Sequence, residues 1–112
     1  MDFAFEQKWR EVTSQLAQHF GPDLDLDAIL FLIGVQELGQ GFRKFTKDEK
    51  LHVLHIAVCR LLEPYGHYEF TGMDDDGWPH YRKKENLPNL DSKEQELLMK
   101  RAIVEYFDYS ST

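Results

Sequence analysis

The sequence predicts a mostly α (α+β) protein, with about four helices around a buried central helix and one antiparallel β-hairpin. The central helix is predicted because residues 26–38, LDAILFLIGVQEL, are apolar on almost all sides, which is typical of a helix buried on all sides. Other segments repeat apolar residues at helical spacing. The hairpin is predicted because aromatic residues flank Asp76-Gly77, a common turn dipeptide.

The first helix is expected over residues 3–20, where apolar side chains recur every three or four positions and polar residues fill the other side. Gly21 and Pro22 then end it. The apolar stripe either packs in the protein's own core or binds a partner, and the sequence leaves both open. The stripe consists of Phe5, Trp9, Val12, Leu16 and Phe20.

The central helix is expected over residues 26–39, with Asp25 as its N-cap and with Gly39 and Gly41 suited to a left-handed ending. Its apolar run is too short to span a membrane. Gly34, inside the helix, costs up to about 1 kcal/mol relative to alanine. This glycine either marks a close helix crossing or is a tolerated imperfection.

The third helix is expected over residues 47–63, where Thr46 and Glu49 form a capping box at the start and Pro64 follows the end. The short connection to the central helix favours an antiparallel pair of helices. The predicted core face of the third helix contains Leu51, Leu54, Val58, Leu61 and Leu62.

The β-hairpin is expected over residues 67–83, with strands near 67–72 and 78–83. Pro79 must lie at an edge of this small sheet, or outside its ladder, because it has no backbone N–H to donate. The aromatic residues either close one side of the helical core or form a partner-binding surface, since such rings suit both roles. The candidate partner-binding residues are Tyr68, Phe70, Trp78, His80 and Tyr81.

The last helix is expected over residues 92–107, after an irregular connector at 86–90. Asp91 and Glu94 resemble a capping box at its start. We expect one domain spanning residues 1–112, because no linker, repeat or low-complexity tract divides the chain. The candidate core residues of the last helix are Leu97, Leu98, Ala102, Ile103, Tyr106 and Phe107.

The composition disfavours several classes of function. The chain of 112 residues has a formal net charge of −7, which argues against nucleic-acid binding because phosphate contacts need clustered Lys and Arg. A single cysteine, Cys59, cannot form an intrachain disulfide and suits a reducing compartment. The N-terminal residues include acids and lack an apolar run, so we expect no signal peptide and a cytoplasmic protein.

His52, His55 and Cys59 form the most suggestive cluster for chemistry, because on an ideal helix they lie within about 60° of one another. Imidazole and thiolate are ligands for a zinc-type metal, and His67 or His80 would add a further ligand. The alternative is that His55 and Cys59 lie at the boundary of the core. We expect no cofactor as the first choice and a zinc-type metal as the alternative.

The sequence leans away from an enzyme without excluding one. Cys59 lies among leucines, whereas a catalytic thiolate needs an exposed, electropositive site. The contiguous acids at 74–76 suit a solvated turn better than a calcium loop, in which acids alternate. Glu37, at the end of the apolar central helix, is the carboxylate most worth locating in the fold.

Three segments carry a resemblance to a known family. They are DLDAILFLIGVQELGQG, then LHVLHIAVCRLLEPYGHYEF, then DGWPHY with the later LPNL and EQELL. Together they resemble a small family of uncharacterised bacterial cytoplasmic proteins, over most of residues 5–107. The resemblance implies a stand-alone bacterial protein of unassigned function and carries over no site residue.

The leading hypothesis is a small, acidic, cytoplasmic protein–protein interaction or adaptor-type domain. Its partner is another protein or a second copy of the chain in a homodimer. The hypothesis rests on the acidic composition and on the surplus of aromatic residues in the hairpin. The alternatives are a zinc-type metal-binding protein and a small enzyme whose pocket a sequence cannot display.

Overall fold

A computed structural model describes residues 3–84 and 89–110, and it confirms the mostly α class with one antiparallel hairpin. The helices begin and end close to their expected positions, except that the last one extends to Ser110. Most of the connector expected at 86–90 lies outside the described residues. The elements are α1 (Phe3–Phe20), α2 (Leu26–Leu38), α3 (Lys47–Leu62), a 3-10 turn (Glu63–Tyr65), β1 (Tyr68–Met73), β2 (Pro79–Lys83) and α4 (Ser92–Ser110).

The chain divides into two compact units, each built on a pair of helices. One unit joins the residues up to Asp25 with those from Asn89 onward, and contains α1 and α4. The other runs from Leu26 to Pro88 and contains α2, α3 and the hairpin. The expectation of one domain over residues 1–112 stays a prediction. No helix in the described ranges is both long and apolar enough to span a membrane.

In the first unit, the apolar stripe of α1 is buried over only part of its length. Val12 and Leu16 are buried, Phe5 and Trp9 are half-buried, and Phe20 is 47% exposed. The buried side chains of α4 are Ala102, Ile103, Val104 and Tyr106.

The start of α4 confirms one prediction and corrects another. Asp91 Oδ1 accepts the backbone N–H of Glu94 at 2.8 Å, and the Asp91 N–H donates to Glu94 Oε1 at 3.3 Å, so the capping box is confirmed. Leu97, a candidate core residue, is 44% exposed and is not in the core. It lies in the first turns of α4, before the buried run that begins at Ala102.

In the second unit, α2 and α3 pack against each other at very short range. A Cβ atom added to Gly34 would overlap the carbonyl oxygen of Val53 and lie 2.6 Å from Val53 Cγ1. Gly34 is therefore required for the crossing of α2 and α3, which confirms the close-crossing interpretation. Gly39 and Gly41 have φ of +72° and +74°, the left-handed values expected after the end of α2.

The capping box at the start of α3 is confirmed, whereas part of its predicted core face is wrong. Thr46 Oγ1 accepts the N–H of Glu49 at 3.1 Å, and the Thr46 N–H donates to Glu49 Oε1 at 2.9 Å. Leu51 is 60% exposed. It precedes Val53, which has no exposed area, by two positions, or about 200° around the helix, and so lies on the opposite side.

The hairpin contains a β-bulge that decides which side chains share a face. Phe70 pairs with Tyr81, but Gly72 pairs with His80, so Thr71 is the extra residue of β1. Thr71 Oγ1 donates to the carbonyl oxygen of His80 at 3.1 Å. Pro79 is the first residue of β2 in this two-stranded sheet, where both strands are edges, as its missing N–H requires.

Candidate functional site

The turn between β1 and β2 is built around the carboxylate of Asp74. Its Oδ1 accepts the backbone N–H groups of Asp76 and Trp78, both at 2.9 Å, and its Oδ2 lies 2.8 Å from Nε2 of His80. The hydrogen bond from His80, followed by that from the Trp78 N–H, lowers the pKa of Asp74. The carboxylate therefore fixes the turn from which β2 begins.

Trp78 belongs to the core of its unit. Its side chain is only 8% exposed, and its ring meets that of Phe45 edge to face, with centroids 6.5 Å apart. For Trp78, the interpretation that the hairpin closes one side of the helical core therefore holds. The rest of this buried cluster is Val35, Leu38, Val53 and Ile56, with Phe31 packed against it.

His52 also packs against the Trp78 ring. The two rings are stacked, with centroids 4.8 Å apart and an angle of 23° between their planes. The ring of His80 lies 6.0 Å from that of His52. Burial lowers the pKa of His52, and the nearby His80 and His55 lower it further.

Arg43 is a residue of this cluster that the sequence pattern did not single out. Its guanidinium carbon lies 4.3 Å from the ring centre of Phe45 and 5.9 Å from that of Trp78. Its Nη2 also lies 3.2 Å from Glu49 Oε2 of the capping box. The only signal in the sequence was the pair of cations between two phenylalanines in residues 41–45, GFRKF, and it cannot tell which ring a cation will cover.

Phe70 and Tyr81 form a cross-strand aromatic pair with centroids 5.5 Å apart. Phe70 is 45% exposed, whereas Tyr81 is half-buried. Burial, followed by the carboxylates of Glu37 and Glu63, raises the pKa of Tyr81 to about 12. Tyr81 therefore lies against the helices of its unit, and Phe70 lies at the outer margin of the same face.

The bulge keeps a second exposed apolar residue on this face. Tyr81 and Pro79 are two positions apart in β2 and share a face. Their partners across the ladder, Phe70 and Met73, therefore share it too. Met73 is exposed like Phe70. We call the hairpin rim the four aromatic and methionine side chains of this face that retain exposed area: Tyr68, Phe70, Met73 and Tyr81.

The opposite face of the hairpin is polar. It carries Glu69 and Arg82, which are directly paired across the ladder and joined by an ion pair. It also carries His80, which is exposed and bonded to Asp74. The hairpin thus separates an apolar face from a solvated one, and His80 does not lie beside Phe70.

The geometry does not bring the three candidate metal ligands to one point. Cys59 Sγ lies 3.4 Å from His55 Nε2, whereas the ring of His52 is stacked on Trp78. Burial raises the pKa of the Cys59 thiol to about 11. His67, a suggested extra ligand, lies beside Tyr65, with ring centroids 6.3 Å apart. Within residues 3–84 and 89–110, no three His, Cys, Asp or Glu side chains are grouped to hold a metal.

Glu37 has a structural partner. Its Oε1 lies 3.3 Å from Nε of Arg60, and its side chain is 24% exposed, so the carboxylate links the end of α2 to α3. Glu37 is thus a partly exposed carboxylate at a helix end.

Comparisons with protein-family models, with curated proteins and with solved structures find no match to this chain. Membership of a bacterial family therefore stays a prediction. The basis for a function is the geometry of the chain's own surfaces.

Proposed function

We propose that the protein is an interaction domain that binds another protein through the hairpin rim. One observation supports this most: the bulge places two exposed apolar side chains, Phe70 and Met73, on one face of the hairpin. Exposed apolar groups that share a face are typical of contact surfaces. Tyr68 and Tyr81 stand beside them, and tyrosine is enriched among residues that dominate binding energy.

The surroundings of the rim indicate the chemistry of the partner. Lys83 pairs with Tyr68 across the ladder, so a cation lies on the same face as the rim. The partner would present an apolar pocket for Phe70 with a carboxylate near Lys83, because opposite charges at the edge of an interface favour the correct encounter.

Contact through side chains is favoured over pairing of strands. At the edge of β1, the N–H of Phe70 donates to Glu63 Oε2 at 3.2 Å, so that donor is already used. The edge of β2 carries Pro79 and Lys83, two residue types that discourage edge-to-edge pairing. The rim would therefore bind without extending the sheet.

A photo-crosslinking experiment tests this proposal. A photoreactive phenylalanine replaces Phe70 in one variant and Phe20 in the control, since these residues have nearly equal exposure, 45% and 47%. Both variants are expressed at the natural level in the native host, and crosslinked products are identified by mass. We expect a discrete crosslink to one other protein from position 70 and none from position 20.

The captured partner is then purified and titrated with the full chain. Phe70→Ala should weaken binding by at least about tenfold, and Phe20→Ala should change it by less than about twofold. No discrete product from position 70, or the same products from both positions, would overturn the proposal. If the only crosslinked product contains two copies of the chain, the partner at the rim is a second copy and the function is a homodimer contact.

The zinc-type metal site has one supporting contact, the approach of His55 to Cys59. It would require His52 to leave its stacking contact with Trp78, at a cost in aromatic packing. The test is metal analysis of protein purified without a histidine tag, together with a thermal unfolding titration with zinc. About one equivalent of bound metal, or a clear rise in Tm with zinc, would favour this function over the rim.

A further inference from the structure

An open groove of about 880 Å³ lies in the first unit, between α1 and α4. Its apolar lining consists of Phe5 and Trp9 from α1 and Leu97 from α4. The two aromatic residues are half-buried and Leu97 is exposed. The groove therefore follows the half of the α1 stripe that its own unit leaves uncovered, whereas Val12 and Leu16 are buried further along the same stripe.

Cations stand over the aromatic side chains of this groove. Lys100 Nζ lies 5.5 Å from the ring centre of Trp9, and Arg101 Cζ lies 5.5 Å from that of Phe5. Such contacts hold a cation beside an apolar surface and leave its outer N–H groups available to a ligand. The carboxylate of Glu96, 3.7 Å from Lys100 Nζ, is an exposed i,i+4 partner and holds that cation only weakly.

The charge of the groove is opposite to that of the protein as a whole. Arg10, Lys100 and Arg101 line it together with a single acid, Glu6, although the chain has a formal net charge of −7. A ligand attracted to this groove would be anionic, because the cations of its lining outnumber its one acid although the chain as a whole is acidic. The apolar side chains that line the groove, Phe5, Trp9 and Leu97, keep exposed area, so the same ligand should also carry an apolar group.

We propose that the α1–α4 groove is a second binding site, and that its occupant is an acidic peptide segment with apolar side chains on one face. An amphipathic helix in a groove places apolar anchors at positions i, i+3, i+4 and i+7. Phe5, Trp9 and Leu97 would contact those anchors, while Arg10, Lys100 and Arg101 would bind flanking carboxylates. The site is independent of the hairpin rim.

Fluorescence anisotropy of labelled peptides tests the site on the full chain. The probe is a helical peptide of glutamates with leucines at i, i+3, i+4 and i+7. The first control peptide has lysine in place of glutamate, and the second has serine in place of leucine. We expect saturable binding of the probe and binding weaker by at least about tenfold for both controls.

Variants locate the binding on the protein. Trp9→Ala, and separately Lys100→Glu with Arg101→Glu, should each weaken binding of the probe by at least about tenfold. Lys47→Glu with Lys50→Glu is the matched control, because it makes the same charge change at two exposed positions of α3, and it should weaken binding by less than about threefold. Circular dichroism at the assay temperature verifies that each variant is folded. If the charge-reversal variant of Lys100 and Arg101 does not fold, Lys100→Gln with Arg101→Gln is used in its place.

Several results would overturn the proposal. They are an absence of saturable binding, equal binding of the lysine peptide, and equal loss of affinity in the groove and α3 variants. Tighter binding of a labelled single-stranded oligonucleotide than of the probe would replace a peptide with a nucleic acid as the ligand. If the chain self-associates in analytical sedimentation and Trp9→Ala abolishes that association, the occupant of the groove would be a second copy of the chain instead of an acidic peptide.

Discussion

The two helix pairs of this protein differ in how tightly the two helices of each pair pack against each other. In the pair α2–α3, the backbone of Gly34 approaches that of Val53 so closely that no Cβ fits between them. In the pair α1–α4, Phe5 and Trp9 remain half-buried and line an open groove. A pair packed at backbone contact leaves no room for a ligand, whereas an open pair keeps apolar area that a partner can cover.

The difference follows from the composition of the helices. The α2 helix is apolar on nearly all sides, and four α3 residues with almost no exposed area, Val53, Ile56, Ala57 and Cys59, lie in the same unit. The α1 and α4 helices have lower mean hydropathy and carry cations beside their apolar stripes. We interpret α2–α3, with Trp78, as a tightly packed core that stabilises its unit, and we propose the hairpin rim and the α1–α4 groove as binding surfaces.

The largest expected change in the free energy of unfolding distinguishes the buried core residue of the hairpin from the residues of the hairpin rim. Trp78→Ala should lower the free energy of unfolding by about 3–5 kcal/mol, because it empties a buried site against Phe45. Phe70→Ala should lower it by no more than about 1 kcal/mol, because that ring is partly exposed. Urea unfolding of the two variants measures both values. Equal losses would remove the distinction between core and rim.

Gly34→Ala breaks the closed helix pair. Helix propensity alone predicts a gain of about 1 kcal/mol from this change. The added Cβ would overlap the carbonyl oxygen of Val53, which is backbone and cannot rotate away, so we expect a net loss of about 1–3 kcal/mol. Thermal and urea unfolding determine the sign, and a stabilised variant would show that α2 and α3 do not cross at backbone contact.

Variants of the two capping boxes test whether the loss of an N-cap lowers the free energy of unfolding equally in the two units. Thr46→Ala removes the N-cap of α3, and Asp91→Ala removes that of α4. Each should cost about 1 kcal/mol by loss of one hydrogen bond to an N3 amide. If both units unfold together, the two losses measured by urea unfolding should be similar. A loss at Thr46 with none at Asp91 would indicate that α4 unfolds separately, before the α2–α3 pair.

The smallest expected change in the free energy of unfolding is its dependence on pH. The folded state lowers the pKa of His52 below its ordinary value of 6.5, mainly by burial against Trp78. As the pH falls below 6.5, the unfolded chain binds this proton first, so the folded state loses stability until the pH passes the folded pKa. Unfolding at about pH 7.5 and about pH 5.5 should show this loss.

Other ionisable groups near His52 require a control variant. His55, His80 and Asp74 lie close enough to affect its charge, and Asp74 itself has a lowered pKa. In His52→Gln these groups remain, so the difference from the wild type in pH dependence reports the loss of His52. A pH dependence equal to that of the wild type would contradict the assignment to His52.

The sequence predicted local structure well, because local structure depends on local chemistry. The start of α3 follows from Thr46 and Glu49, the end of α2 from Gly39, and the hairpin from the Asp76-Gly77 turn. In each case the residues that interact are a few positions apart, so their spacing in the sequence is their spacing in the fold. Gly34 was a candidate crossing point for a different reason: an interior glycine lets another backbone approach, although its neighbour, Val53, is distant in the sequence.

The candidate site could be predicted only in part, because its geometry depends on contacts between distant segments. Periodicity alone did not show that Leu51 lies away from the core or that Trp78 lies within it. The bulge after Phe70 places Met73 on the same face, and no turn signal predicted it. The position of Arg43 over Phe45 and Trp78 likewise depends on how the loop after α2 meets the hairpin.

Native-state hydrogen exchange resolved to single amides tests most directly whether the closed and open helix pairs have different roles. We predict that amides around Val53 and Ile56 exchange only through global unfolding, because their side chains are fully buried. Amides around Phe5 and Trp9 should exchange faster, through local opening beside the groove. Protection around Phe5 and Trp9 equal to or greater than that of α3 would contradict the account.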